Sequence, residues 1–225
     1  MARRTARAVN RLRLVVTKDG VMADESDTRF SLSPGGSRRV ALPYVVKASG
    51  RHSLKLTCME LPSEEVLWEG ESEFTVSPLY DARGGGLLHD DGKGAIWWCE
   101  PERKVGRERP APGAASEAVR IEAAANEYEA VQVVVRPRAS LDRCSVRVGD
   151  LVSASGDRIA ADEVEIRTVE YVFTAVPTDE LGVVDEWPDP LPIHASPVSL
   201  AAGRNQPFWV SVHVPSGTPG GDYRG

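Results

Sequence analysis

Over residues 12–76 apolar side chains recur mostly at every second position. Leu12, Leu14 and Val16 alternate with polar neighbours. The same period returns at Phe30 with Leu32, at Val40, Leu42, Tyr44 and Val46, at Leu54, Leu56 and Cys58, and at Phe74 with Val76. A period of two places one side of an extended segment against a core and the other in water, so each run predicts a strand. Turn-forming pairs separate the runs: Asp19-Gly20, Pro34-Gly35-Gly36, Ser49-Gly50 and Pro62-Ser63. About five strands are expected here, where an immunoglobulin-like sandwich has about seven. The module is therefore compact or lacks its first strands.

Residues 77–94 break the pattern. Gly84-Gly85-Gly86 and Asp90-Asp91-Gly92-Lys93-Gly94 offer pliable backbone and little to bury. They lack the order of a phosphate-binding loop and the acidic alternation of a calcium loop, which leaves a linker or a hairpin. Alternation resumes near Ala95 with Ile96-Trp97-Trp98. Val119 and Ile121 predict a strand, Ala125-Asn126-Glu127 a turn, and residues 131–135 a further strand. Cys144, Val146 and Val148 alternate again. Val164, Ile166 and Thr168 lie on one parity and Val169, Tyr171 and Phe173 on the other, which predicts a bulge near Thr168. Residues 178–197 form a long acidic and proline-rich loop, of a length that is often functional or covers another surface. Phe208, Val210, Val212 and Val214 mark a last full strand. Tyr223 opens another just before Gly225, so the C-terminus reads as truncated. The expected fold class is all-β: two β-sandwich (immunoglobulin-like) modules, the first short of strands, and no (β/α) barrel within the chain. The expected organisation is a disordered basic N-terminus at 1–11, a partial immunoglobulin-like sandwich at 12–77, a Gly-rich linker at 78–94 and a second sandwich at 95–225.

Composition narrows the function classes. Of 225 residues 41% are hydrophobic, enough for a packed core, and 20 Gly with 16 Pro serve as punctuation between strands. No run approaches the roughly 18 apolar residues of a membrane span. A net charge of -6 disfavours a general nucleic-acid role. Arg3, Arg4, Arg7, Arg11 and Arg13 make the first thirteen residues basic, which reads as a solvated terminus or as a start inside a longer frame. The last two arginines interrupt any apolar run of a secretory signal. Cys58, Cys99 and Cys144 are far apart with no CxxC, which argues against a disulfide framework and a zinc site; Cys58 and Cys144 are read as small buried hydrophobes. His52, His89, His194 and His213 are scattered. No cofactor, metal or catalytic residue is assigned.

Six stretches carry a family resemblance. They are Trp97-Trp98 with Lys104-Val105; Asn126-Glu127-Tyr128-Glu129-Ala130-Val131-Gln132; Tyr171-Val172 with Pro177-Thr178-Asp179; Trp187-Pro188-Asp189-Pro190-Leu191-Pro192; Asn205-Gln206-Pro207-Phe208-Trp209-Val210; and Gly221-Asp222-Tyr223-Arg224-Gly225. In this order they resemble the N-terminal β-sandwich of glycoside hydrolase family 123-like proteins, over roughly residues 95–225. The resemblance implies a β-sandwich followed by a (β/α) barrel. The barrel would remove terminal β-linked N-acetylgalactosamine by a substrate-assisted route, with an Asp-Glu pair that has no counterpart in this chain. It implies a C-terminal catalytic barrel as the partner in cis, and glycans ending in N-acetylhexosamine as substrate. Asn126, Glu127, Tyr128, Glu129, Gln132, Asp222 and Tyr223 are then family-motif residues with a structural role. Glu127 and Glu129 would stand about 7 Å apart by strand rise, near the spacing of inverting glycosidases. No cleft is expected around them, so they too are read as structural.

Trp97, Trp98, Trp187 and Trp209 are the candidates for sugar contact, because an indole face stacks on the C–H face of a pyranose. By strand alternation, one of Trp97 and Trp98 must face away from the core. The competing reading packs these rings on a barrel or a neighbouring loop. The expected function is a non-catalytic β-sandwich region of a glycosidase that orients a catalytic barrel. The alternatives are a stand-alone carbohydrate-binding module and an interaction or surface sandwich without sugar chemistry. Localisation, secreted or cytoplasmic, is left open.

Overall fold

The computed structural model describes residues 8–44, 48–193 and 197–225. Arg3, Arg4, Arg7, Val46 and His194 lie outside them. The chain divides into two compact units, residues 1–77 and 78–225. Both are built from antiparallel β-strands, so the all-β class expected from the alternation is what the structure shows.

The first unit holds four long strands: β1 (Ala8–Lys18), β2 (Val21–Leu32), β3 (Gly50–Leu61) and β4 (Glu65–Val76), in the order β2-β1-β3-β4. Asp19 and Gly20 close the first hairpin, both at positive φ (51° and 78°), between the paired Lys18 and Val21. Such two-residue loops match the twist of the flanking strands, and Asp-Gly tolerates that backbone best. Leu12, Leu14 and Val16 face Cys58, Leu56 and Leu54 across the β1–β3 ladder. On the opposite face Arg13 meets Glu25 at 2.6 Å, and Arg11 meets Glu64 at 3.0 Å. His52 stacks on Phe74 at 5.1 Å, with Tyr44 beside both rings.

Three expectations for this unit are corrected. Residues 8–11 belong to β1 and not to an irregular terminus. Among the described residues four strands stand where five were expected: residues 40–44 take no regular structure, and Val46, the end of that run, lies outside the described residues. β2 and β4 run well past the apolar positions that announced them. They are the edge strands, where exposed charged positions blunt further pairing and erase the alternation.

The second unit starts at a short 3-10 turn, Pro78–Tyr80, which buries Leu79 completely. Its main sheet combines β5 (Gly86–Asp90), β6 (Gly94–Cys99), β7 (Glu127–Pro137), β11 (Val164–Thr168) and β15 (Gln206–Val214) in the order β11-β15-β7-β6-β5. Three smaller sheets are β8 (Leu141–Cys144) with β14 (Val198–Leu200); β9 (Leu151–Ser153) with β10 (Arg158–Ile159) and β16 (Tyr223–Arg224); and β12 (Tyr171–Thr174) with β13 (Asp185–Pro188). Trp97, Cys99, Val105 and Val134 form a fully buried cluster. Leu87, Ala95 and Ala111 pack against it.

This unit corrects more of the sequence reading. Segment 78–94 is no linker: it supplies Leu79 and β5, and β5 folds onto β6 as a hairpin. Val119 and Ile121 form no strand. Strand structure at Cys144 stops there instead of continuing to Val148. The parity slip after Thr168 is a change of sheet and not a bulge. β11 pairs with β15 up to Thr168, and then Glu170 donates its N–H to Pro190 O at 2.9 Å as the chain joins β13. The long acidic loop therefore contains a strand, β13. Cys58 and Cys144 are half-buried, and Cys99 is the buried thiol.

Candidate functional site

The chain leaves β6 at Cys99 and returns at β7. The first part of this excursion, residues 100–109, lies over the face of the main sheet that carries Trp97, Cys99, Gln132 and Val134. A loop packed on a core must find donors for its buried carbonyls. Side chains from the strands beneath supply them. Gln132 Nε2, on β7, reaches the carbonyls of Glu100, Pro101 and Arg103 at 3.2, 3.1 and 2.8 Å. Tyr171 Oη, on β12, donates to Val105 O at 2.7 Å. Asn205 Nδ2 donates to Gly106 O and Arg109 O, each at 2.8 Å, while its backbone N–H meets Arg107 O. Gln206 Nε2 holds Val169 O at 2.9 Å, where the chain changes sheets. Gly106 is required here, because a Cβ would come within 2.6 Å of the Leu79 carbonyl.

Arginines complete the frame. Arg109 is 0% exposed; its Nη2 donates to Arg83 O at 3.0 Å, and its guanidinium stands 4.7 Å over the Trp97 ring. Arg136 Nη1 donates to Arg109 O. Arg107 lies 3.7 Å over the Tyr171 ring, and its Nη1 reaches Asn205 O and Gln206 Oε1. Burial pushes the Tyr171 phenol well up from its ordinary value, partly opposed by Arg107. Burial likewise pushes the Cys99 thiol up to about 11 against the pull of Arg109, so Cys99 stays protonated near neutral pH. Tyr80 is pushed up to about 12, first by its hydrogen bond to Asp185 at 2.6 Å and then by burial.

Beside this frame opens a cavity of about 300 Å³, lined by Arg107, Glu186, Arg204, Asn205 and Gln206 with Ser199, Leu200 and Ala201. Glu186 Oε2 is shared by two arginines: Arg204 Nη2 bonds it, and Arg107 Nε stands 3.8 Å away. Sequence reasoning missed this cluster. Its members come from the 100–109 loop, from β13, from β14 and from the segment that leads into β15, and no spacing along the chain links them.

The four tryptophans do not form one platform. Trp97 is 0% exposed and offers no ring face to a sugar; it is a core residue, which corrects the expectation for it. Trp98 is half-buried on the opposite face of β6, with its indole N–H on Ser116 Oγ at 3.1 Å. Trp209 pairs with Gln132, so it shares the Trp97 face and not that of Trp98. Its N–H meets Ser211 Oγ. Trp187 lies in the separate β12–β13 ribbon, bonded to Val183 O. Of the motif residues, Asn126 turns the chain into β7 at φ 64° and donates its N–H to Val214 O. Glu127 accepts from the Ala124 N–H at 2.6 Å, and Glu129 is half-buried. Tyr128 is 71% exposed and stacks on His213 at 4.3 Å. Asp222 is exposed, and Tyr223 in β16 donates to Pro219 O. Among the described residues no group of three or more His, Cys, Asp and Glu side chains could hold a metal ion. No helix there is long and apolar enough to cross a membrane.

Comparison with known proteins agrees with the motif order. No curated protein matches the chain. Among solved structures, a family 123 glycoside hydrolase from Clostridium perfringens, described in terms of glycolipid glycan hydrolysis, aligns at 14% identity with a TM-score of 0.39. The alignment covers 44% of this chain and 17% of that one, so the matched part is a small share of that enzyme. A family model described as the glycoside hydrolase 123 N-terminal domain matches residues 98–225, more than half of the chain. Those residues span β7, the 100–109 loop, Tyr171 and Asn205, and the chain belongs to the glycoside hydrolase 123 N-terminal domain family.

Proposed function

We propose that the second unit is a non-catalytic β-sandwich domain of a glycoside hydrolase, and that it packs on and orients a catalytic barrel in the same protein. Membership of the N-terminal domain family over residues 98–225 carries this reading. The chemistry of the frame supports it. Gln132, Tyr171, Asn205 and Gln206 spend their N–H and O–H donors on main-chain carbonyls, which suits a rigid scaffold rather than a reacting centre. Glu127 is engaged at its own turn.

The β12–β13 ribbon and its flanks carry a concentration of exposed apolar side chains. Val172, Phe173 (64%), Val176 (76%), Val184 and Ile193 lie within residues 171–193. Exposed apolar surface on this scale marks an interaction site. We assign it to the barrel, whose substrates would be glycans ending in β-linked N-acetylgalactosamine. A stand-alone carbohydrate-binding module is the weaker alternative, because Trp98 and Trp209 project from opposite faces of one sheet.

The test uses a protein that carries this chain ahead of a family 123 barrel. Phe173→Asp with Val176→Asp is expected to lower both the melting temperature of the barrel and its hydrolysis of an aryl N-acetyl-β-galactosaminide, severalfold for the latter. Unchanged melting and activity would remove the ribbon as the docking surface. Hydrolysis by the 225-residue chain alone would overturn the non-catalytic assignment.

A further inference from the structure

Sequence reasoning passed over Trp68, on β4, which is the most exposed tryptophan of the chain at 54%. Trp97 is wholly buried. Trp98, Trp187 and Trp209 are half-buried, and their indole N–H groups are spent on Ser116 Oγ, Val183 O and Ser211 Oγ. The Trp68 indole N–H makes no hydrogen bond among the described residues. Its ring is nonetheless seated. Trp68 pairs with Cys58 and Gly70 with Leu56, so both stand on one side of the sheet. The six-membered ring of the indole fills the space over Gly70, where a Cβ would collide with Cη2 and stand 2.5 Å from Cζ2. The strand thus holds an indole against its own backbone, with part of the ring open to water and its one donor unspent.

A pyranose fits such a surface, because its C–H face packs on an aromatic ring while its hydroxyls meet the polar groups around it. Leu56 and Cys58, half-buried on the same side, extend the apolar floor. Ser72, exposed, adds a hydroxyl one two-residue step beyond Gly70, about 7 Å along the strand. The apolar surface stays small. Val66 is exposed too, but it pairs with Met59 across the bulge, which turns it to the other side of the sheet. The surrounding charge selects among sugars. Glu64, Glu65, Glu69, Glu71 and Glu73 crowd this hairpin, and among the described residues cations meet only Glu64 (Arg11, 3.0 Å) and Glu69 (Lys55, 3.4 Å). That excess of carboxylates repels an anionic sugar. We propose that Trp68, seated on Gly70, is the stacking platform of a neutral-glycan site in the first unit, its indole N–H donating to a ring hydroxyl and Ser72 giving a second polar contact. The site lies outside the family-matched residues 98–225. It needs neither a barrel nor the scaffold role of the second unit, so neither reading falls with the other.

NMR titration of the 225-residue chain with cellotetraose, galactobiose and trigalacturonate tests it. At least one of the two neutral oligosaccharides is expected to shift the Trp68 indole N–H resonance and the Gly70 and Ser72 amides, and to leave the other indole resonances in place. Trigalacturonate is expected to bind more weakly than that oligosaccharide. Trp68→Ala is expected to weaken the neutral oligosaccharide at least about tenfold, followed on the Gly70 and Ser72 amides, since the stacking surface is gone. Its urea midpoint is expected to stay close to that of the parent, because the ring is more than half exposed. Gly70→Ala touches no sugar but displaces the ring, and it is expected to weaken binding severalfold with the fold intact, because the obstructing atoms sit at the end of a side chain that can turn. No shift with either neutral oligosaccharide, or parent-like affinity in Trp68→Ala or in Gly70→Ala, would overturn the proposal. Trigalacturonate binding as tightly as the neutral sugars would overturn the charge selection. Self-association of the chain that Trp68→Ala abolishes, with no response to sugar, would give this surface to a second copy instead.

Discussion

Asn205 joins two segments that lie almost a hundred residues apart in sequence. One side-chain nitrogen donates to Gly106 O and Arg109 O, and the residue is wholly buried. Asn205→Ala removes both bonds, although Gly106 O keeps the Arg109 N–H and Arg109 O keeps Arg136 Nη1; each lost hydrogen bond contributes about 0.5–1.5 kcal/mol. The expected loss is about 1–3 kcal/mol, read as a lower urea midpoint. Asn205→Asp is expected to be at least as damaging, because a carboxylate would face two carbonyl oxygens. A midpoint within error of the parent for Asn205→Ala would show that the loop is held by other bonds. Asn205 and Gln132 were visible in the sequence as letters of a motif, but their task was not. A strand pattern reveals which side chains face the core, and it is silent on which distant carbonyls a buried amide will meet.

At the scale of elements, alternation identified strands wherever one face is covered, as at β1, β3, β7 and β15. It failed where both faces are polar or where a strand changes neighbours. Residues 164–174 illustrate the second case. A bulge and a change of sheet both shift parity by one, so Val169 and Tyr171 look the same in either, and only the hydrogen-bonding partner distinguishes them. The structure supplies those partners: Val169 N–H meets Pro207 O at 3.1 Å and Glu170 N–H meets Pro190 O at 2.9 Å, with Gln206 Nε2 on Val169 O. Hydrogen exchange followed by NMR is expected to find the Val169 and Glu170 amides protected like those of β11. Gln206→Leu is expected to speed exchange at this crossing more than in β6. Fast exchange at Glu170 in the parent would restore the bulge, since a bulged residue leaves its N–H unpaired.

For the whole molecule, the point where the second unit begins decides what can be cut away. The glycines of 84–94 suggest a boundary near Ala95, whereas the structure places the division before Pro78. Segment 78–94 fills the second unit's core and supplies bonds that nothing else replaces. Leu79 is 0% exposed and its carbonyl receives the Gly106 N–H. Tyr80 holds Asp185, and the carbonyl of Arg83 accepts the hydrogen bond of the buried Arg109 guanidinium. β5 covers the β6 edge next to Trp97. Losing Leu79 alone removes a buried side chain whose truncation costs about 2–5 kcal/mol. Exposing the Arg109 charge region and a bare strand edge adds to that. A protein comprising residues 78–225 is therefore expected to unfold in one cooperative urea transition, whereas one comprising residues 95–225 is expected to precipitate or to show a much lower midpoint. Equal midpoints for the two would return segment 78–94 to the status of a linker. They would also leave Arg109 in need of another acceptor, because its carbonyl partner on Arg83 would have been shown to be dispensable.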